Sequence, residues 1–228
     1  MDRYMITHSL LYSWLYAMKE NPYEDSETEK DPMKEFLDVL NRIPTETNQA
    51  MQNGIDFEDL VTAIVEAEPT VAPKLCRQVK YNYSTRTYDT ELVPPAQHMW
   101  FAAAAKVAGI VDGGQLQCVA SKTIEVNGMQ IFLYGRLDAL KAGSIYDIKF
   151  SKGYERGKYV DSTQHPTYFE LVPEAEEFTY LVSNGSDVWT ETYRKEETQD
   201  IKFIISDFLS WLTAMGLMDI YKEKWLAK

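Results

Sequence analysis

Apolar and polar positions alternate with a helical period in the first half of the chain, with a two-residue period in the middle, and with a helical period again in the tail. Thr7 is an N-cap type. Behind it Leu10, Leu11, Trp14, Leu15 and Met18 recur at helical spacing and predict a helix to about Lys19, ended by Asn21-Pro22. Residues 24–30, EDSETEK, read as a charged, mobile loop. Asp31-Pro32 pairs a cap with proline at the first helical position and opens a helix that buries Phe36, Leu37, Leu40 and Ile43. Asn53-Gly54 breaks the pattern. Asp56 then caps a helix with Phe57, Leu60, Val61, Ile64 and Val65 inward, which puts Glu58 in its first turn. Residues 69–94 carry no sustained period and read as loops, and the alanine-rich stretch 95–111 reads as a helix.

From Gln115 the two-residue strand period takes over. Residues 116–125, 129–139 and 144–150 predict an antiparallel meander whose first turn is Asn127-Gly128. In its third strand Ile145, Asp147 and Lys149 share one face, and Tyr146, Ile148 and Phe150 the other. Gln164–Leu171 predicts a short helix with Pro166 in its first turn and with Gln164 and Tyr168 on one face. Residues 177–194 predict a hairpin around Asn184-Gly185. From Asp200 the tail is helical, with Ile204, Phe208, Trp211, Leu212 and Met215 buried and Gly216 as a break. The expected organisation is one α/β domain over 1–228: a helical N-terminal region over residues 1–112, a sheet core 115–194 and a C-terminal helix 199–228.

The meander's second hairpin carries the chemistry. If Ala142-Gly143 is a two-residue loop, Lys141 faces Ser144 and Asp138 faces Asp147, so two carboxylates stand side by side with Lys149 next to Asp147. Adjacent carboxylates repel and are costly to desolvate. A hard divalent cation such as Mg²⁺ or Mn²⁺ relieves both problems, with water and a phosphate filling the remaining positions. The plain alternative is a solvated Asp–Asp–Lys cluster at a hairpin end, which contributes little.

Charge bears on this reading. The 228 residues hold 23 Lys plus Arg against 35 Asp plus Glu, a formal net charge of −12. That argues against broad, nonspecific polyanion binding but not against a local basic strip, and Lys149, Lys152, Arg156 and Lys158 form one directly after the hairpin. Two cysteines, Cys76 and Cys118, are too few for a disulfide framework and fit a reducing cytosol. No run of about 18 apolar residues predicts a membrane span, and the start lacks the apolar core of a secretory signal. His8 and His98 have no ligand-spaced partners, and a lone His165 in a helix reads as structural.

Gly-Arg-Leu-Asp138, Ile-Tyr-Asp147-Ile-Lys149 and Gln164-His-Pro-Thr-Tyr168, in that order, resemble the PD-(D/E)XK nuclease superfamily, and within it the phage-type and RecB-like exonucleases. Phe57-Glu58 matches that group's upstream acidic helix, and Ile6-Thr7-His8-Ser9 resembles the start of its first helix. The likeness runs from Thr7 to about Tyr193. Two departures stand out: Leu137 precedes the first acid where the superfamily's name has proline, and the four cysteines of the iron–sulfur branch are missing.

The resemblance implies a restriction-endonuclease-like core, a mixed sheet with an antiparallel meander flanked by helices. It implies Mg²⁺ or Mn²⁺ held by Glu58, Asp138, Asp147 and the Ile148 carbonyl. It implies catalysis by Asp138, Asp147 and Lys149 supported by Gln164 and Tyr168, with DNA contacts from Ser151, Lys152, Arg156 and Lys158. The implied activity is a metal-dependent DNA exonuclease of phage recombination or replication, in a bacterial or phage-infected host cytoplasm. Members of that group often form homo-oligomeric rings or pair with a single-strand-annealing protein. The rival expectations are a structure-specific or defence endonuclease of the same superfamily, and a non-catalytic member that binds nucleic acid or protein.

Overall fold

The computed structural model describes residues 2–19 and 31–227; the expectations for Asn21-Pro22 and the loop 24–30 lie outside them. Among the described residues, eight strands and seven α-helices follow in the order β1 (Arg3–Ile6), α1 (His8–Met18), α2 (Pro32–Leu40), α3 (Gln49–Val65), β2 (Cys76–Asn82), β3 (Thr87–Val93), α4 (Phe101–Val111), β4 (Gln115–Val126), β5 (Met129–Lys141), β6 (Ser144–Phe150), α5 (Gln164–Leu171), β7 (Glu177–Ser183), β8 (Val188–Arg194), α6 (Ile201–Ala214) and α7 (Met218–Lys224). The protein is α/β. A mixed six-stranded sheet of β1 and β4–β8 is flanked by helices, and β2–β3 form a separate two-stranded ribbon.

The long strand β5 is the spine. β4 pairs antiparallel along one edge from Gln115↔Leu140 to Val126↔Met129. Both meander turns match the sequence expectation, because Asn127, Gly128, Ala142 and Gly143 all adopt the positive φ that a two-residue turn of the right twist requires. The other edge is shared: β1 runs parallel against its beginning, Arg3↔Gln130 to Ile6↔Leu133, and β6 antiparallel against its end, Ala139↔Tyr146 to Lys141↔Ser144. β6 then pairs parallel with β7, and β7 antiparallel with β8.

Each face of the sheet has its own core. On one face Leu10, Leu11, Phe36, Phe208 and Tyr221 from α1, α2, α6 and α7 cover Ile131, Leu133 and Ile145. On the other, Phe57, Leu60 and Val61 of α3 and the alanine face of α4 cover Ala139, Ile148 and Leu181. Burial of such side chains, roughly 1.5–3 kcal/mol each, is what holds the helices to the sheet. No single helix among the described residues is long and apolar enough to cross a membrane.

Several expectations are corrected. The N-terminal region over residues 1–112 is not purely helical: β1 joins the main sheet and β2–β3 replace the expected loops of 69–94. The ribbon escapes the period-two test because β3 is exposed along nearly its whole length, so no apolar alternation marks it. The helix expected over 95–111 starts at Phe101, after a 3₁₀ turn at Pro95–Gln97. Asn53-Gly54 does not break α3, which starts at its cap Asn48 and runs through both. Glycine inside a helix costs about 1 kcal/mol, which the burial of Phe57, Leu60 and Val61 outweighs. Asp56 is therefore no cap but a buried acid paired with Arg77, and Glu58 sits in mid-helix, where complementing the helix dipole is no explanation for it. Ile43 and Met215 are exposed, since α2 stops at Leu40 and α6 at Ala214, before the apolar spacing runs out. Ile205 and Leu209 are the buried members of the tail beside Phe208 and Leu212.

Candidate functional site

The candidate site lies at a fork in the sheet. β1 leaves the edge of β5 at Leu133 and turns into α1, and β6 takes up that edge only at Ala139. On the opposite edge the β4 ladder skips Gln117, which adopts φ 53° and would face Asp138. Asp138 thus sits where the backbone pairing of β5 lapses on both sides. The strand also changes faces there. Ile131, Leu133 and Leu137 enter one core, whereas two residues after Leu137, Ala139 enters the other.

The observed register, Lys141↔Ser144 through Ala139↔Tyr146, is the one expected from the Ala142-Gly143 turn. It stops one step short of pairing Asp138 with Asp147. The Asp138 carboxylate instead accepts the Ile148 backbone N–H at 2.7 Å, replacing the missing ladder bond. A strand residue's N–H and C=O leave by the same edge, so the Ile148 carbonyl also faces the fork.

Asp147, Lys149 and the helix α5 close the site. Asp147 is 3% exposed; its Oδ1 accepts the Gln164 Nε2–H, and the Lys149 Nζ lies 2.7 Å from its Oδ2. The Lys149 ammonium is the ion-pair partner of the buried Oδ2, which accepts no other hydrogen bond among the described residues. Tyr168, one turn after Gln164, donates its hydroxyl to the Arg136 carbonyl at 2.8 Å, tying α5 to β5 just before Asp138. Gly135 permits this approach, because a Cβ there would run into the Tyr168 ring.

The electrostatics are those of crowded carboxylates. Burial, then Asp147, then Glu58 raise the Asp138 carboxyl well above its ordinary range, against the pull of the Ile148 N–H and Lys149. Burial alone would lower Lys149, but Asp147 and Asp138 outweigh it and hold the ammonium above its ordinary value. Burial and the Lys149 charge push His8, at the start of α1, down to about 4.

The expected residues do not all converge. Asp138, Asp147, Lys149, Gln164 and Tyr168 come together, and the Ile148 backbone joins them. Glu58 stands at the rim, where Oε1 accepts from Gln117 Nε2 and lies 3.8 Å from Arg136 Nη2. A cavity of about 320 Å³ opens beside Lys149 and is lined by His8, Tyr12, Lys158, Tyr159 and Gln164 among others. Lys158 reaches back to donate to Ser151 Oγ at 3.0 Å. Lys152 and Arg156 lie on the exposed outside of the same connection. His8, Gln117 and Arg136 were missed as site residues. Only the Ile6-Thr7-His8-Ser9 stretch carried a signal, and without β1 its position could not be read. The larger cavity, about 530 Å³, lies by Trp14, His165 and Ile204, away from Asp138 and Asp147. His165 there is stacked on Tyr193 at 4.3 Å and bonded to the Tyr180 hydroxyl, the structural role its sequence setting suggested.

Asp138 and Asp147 suit a hard divalent cation by the chemistry of their oxygens, and the buried Oδ2 of Asp147, which has only its Lys149 ion pair, is an acceptor of the right kind. Among the described residues no three His, Cys, Asp or Glu side chains stand close enough to form a complete protein cage, so water and phosphate would supply the balance. No protein-family model matches the chain, and no curated protein does. Among solved structures, the crystal structure of SSO0001 is similar at 19% identity and a TM-score of 0.37, over 49% of this chain and 55% of that one, a likeness too slight to bear on fold or function.

Proposed function

We propose that this protein is a metal-dependent DNA exonuclease of the PD-(D/E)XK type, with a restriction-endonuclease-like core. The observation that carries the reading is the half-buried Asp138 beside the buried Asp147, with the Lys149 ammonium 2.7 Å from Asp147, built into a lapse of the sheet. Asp138, held above its ordinary range by burial and by the Asp147 and Glu58 charges, is a standing cost to the fold, and groups so perturbed cluster at functional sites.

Asp138, Asp147 and the Ile148 carbonyl would hold Mg²⁺ or Mn²⁺, with Glu58 on the rim. When bound, the ion would act as Lewis acid and water activator for hydrolysis of a phosphodiester. Gln164 fixes the Asp147 carboxylate by donating to Oδ1, and Tyr168 fixes the β5 backbone before Asp138. Lys149 presents a positive charge to the scissile phosphate and orients the attacking water. His8 and Lys158 line the adjoining cavity, where the DNA backbone would pass. An overall charge of −12 keeps this contact local.

The test is digestion of linear and circular duplex DNA with Mg²⁺ or Mn²⁺. Loss of linear DNA alone supports the exonuclease reading. Cleavage of circles replaces it with an endonuclease of the same chemistry, and intact substrates with folded protein refute it.

A further inference from the structure

The β2–β3 ribbon ends in the octapeptide Tyr81-Asn82-Tyr83-Ser84-Thr85-Arg86-Thr87-Tyr88. Its three tyrosines are 41%, 86% and 74% exposed. They form a small cluster, with Tyr81 edge-on to Tyr83 at 5.0 Å and to Tyr88 at 5.1 Å. The turn that carries them is built, not slack: Asn82 Oδ1 accepts from the Ser84 and Thr85 backbone N–H groups, and Arg86 takes the positive φ of 57° that closes the loop.

Charge singles out the same segment. From Pro69 to Tyr88 the chain holds Lys74, Arg77, Lys80 and Arg86 and no acid, in a protein of net −12. Arg77 is used to anchor the ribbon to Asp56 of α3, and Lys80 pairs with Glu91 across the ribbon. Arg86 is the cation at the tip, and the Asp89 carboxylate behind it is engaged by Asn82 and Thr87. Between Lys80 and Glu91 there is no aliphatic side chain to make the core of a protein interface, only ring faces, hydroxyls, an amide, the Arg86 guanidinium and the Asp89 carboxylate.

We propose that this tip is a stacking platform for the bases of a single-stranded nucleic acid. Tyrosine rings stack on any base, and a cation beside them tracks the phosphates, which gives sequence-tolerant grip. The inference rests on the nuclease reading for its purpose. The ribbon is rooted on α3 two residues from Glu58, and a seven-residue strand spans about 20 Å. The tip would therefore hold an unpaired strand at a distance from the fork.

The test is fluorescence anisotropy of a labelled oligothymidylate with the full chain in EDTA, comparing wild type, Tyr83→Ala/Tyr88→Ala and Tyr83→Phe/Tyr88→Phe. Both side chains are exposed, so the substitutions leave the core alone. The alanine pair is expected to weaken binding by roughly 5-fold or more per tyrosine, and the phenylalanine pair to retain it. The inference is overturned if wild type binds no oligonucleotide, or if the alanine pair binds as wild type does. It is also overturned if the alanine pair dissolves a self-association and leaves oligonucleotide binding unchanged, since the tyrosines then serve a second copy of the chain. Ring-dependent binding without any metal-dependent hydrolysis by wild type sustains the platform and refutes the nuclease.

Discussion

Asp138→Asn should make the metal-free protein more stable at neutral pH. The side chain is nearly isosteric, and the amide oxygen can still accept the Ile148 N–H that Asp138 Oδ2 accepts at 2.7 Å. What disappears is a charge that burial, Asp147 and Glu58 all oppose. An acid whose folded-state pKa lies above its unfolded value binds more protons when folded, so wild-type stability falls as pH rises from about 4 through the folded pKa. Each unit of that elevation is worth about 1.4 kcal/mol. For a chain of this length 1 kcal/mol moves Tm by about 2–4 °C, so each unit gives about 3–6 °C. Thermal unfolding in EDTA at about pH 8 and about pH 4 is the assay. The expected result is a Tm at least about 3 °C above wild type at the higher pH, narrowing at the lower, where wild-type Asp138 is protonated. A Tm equal to or below wild type at about pH 8 would refute the argument that the pair is electrostatically strained.

Gly135→Ala should lower stability by about 1–3 kcal/mol in chemical denaturation, because its Cβ meets the Tyr168 ring and the Leu171 side chain and forces α5 off the sheet. Tyr168→Phe removes the 2.8 Å bond to the Arg136 carbonyl and should cost about 1 kcal/mol by the same measurement, with the fold intact by circular dichroism. His165, held neutral by burial with a pKa lowered from 6.5 to about 4, binds fewer protons folded than unfolded. Its stability contribution is therefore complete above about pH 6.5 and is lost as pH falls towards 4, by up to about 3 kcal/mol. Urea melts across that window should show the loss in wild type and a flatter profile in His165→Phe, which keeps a ring against Tyr193.

The site hairpin was legible in the sequence because two local signals agree there. Side-chain alternation set the faces of β6, and Ala142-Gly143 set the register by taking the positive φ of a two-residue turn. The helix α5 was legible for similar reasons, and with it the shared face of Gln164 and Tyr168. β1 was not. It is four residues long, buries one of them, Ile6, and pairs with a strand more than a hundred residues away. That hid the fork, and with the fork the reason Asp138 is unpaired and the place of His8. Glu58 was found but misplaced, since Gly54 reads locally as a breaker while the packing of α3 against β6 carries the helix through it. The ribbon left no period to read because its strength lies in backbone pairing rather than burial.

The proposed chemistry centres on the fork, and its most direct test is the rate at which Lys149→Ala degrades linear duplex DNA with saturating Mn²⁺, relative to wild type. Lys149 presents the positive charge at the proposed scissile phosphate, so its removal should slow hydrolysis by about 100- to 1000-fold in a protein that still folds. A variant that degrades DNA within a few-fold of the wild-type rate would contradict the assignment of catalysis to Asp138, Asp147 and Lys149.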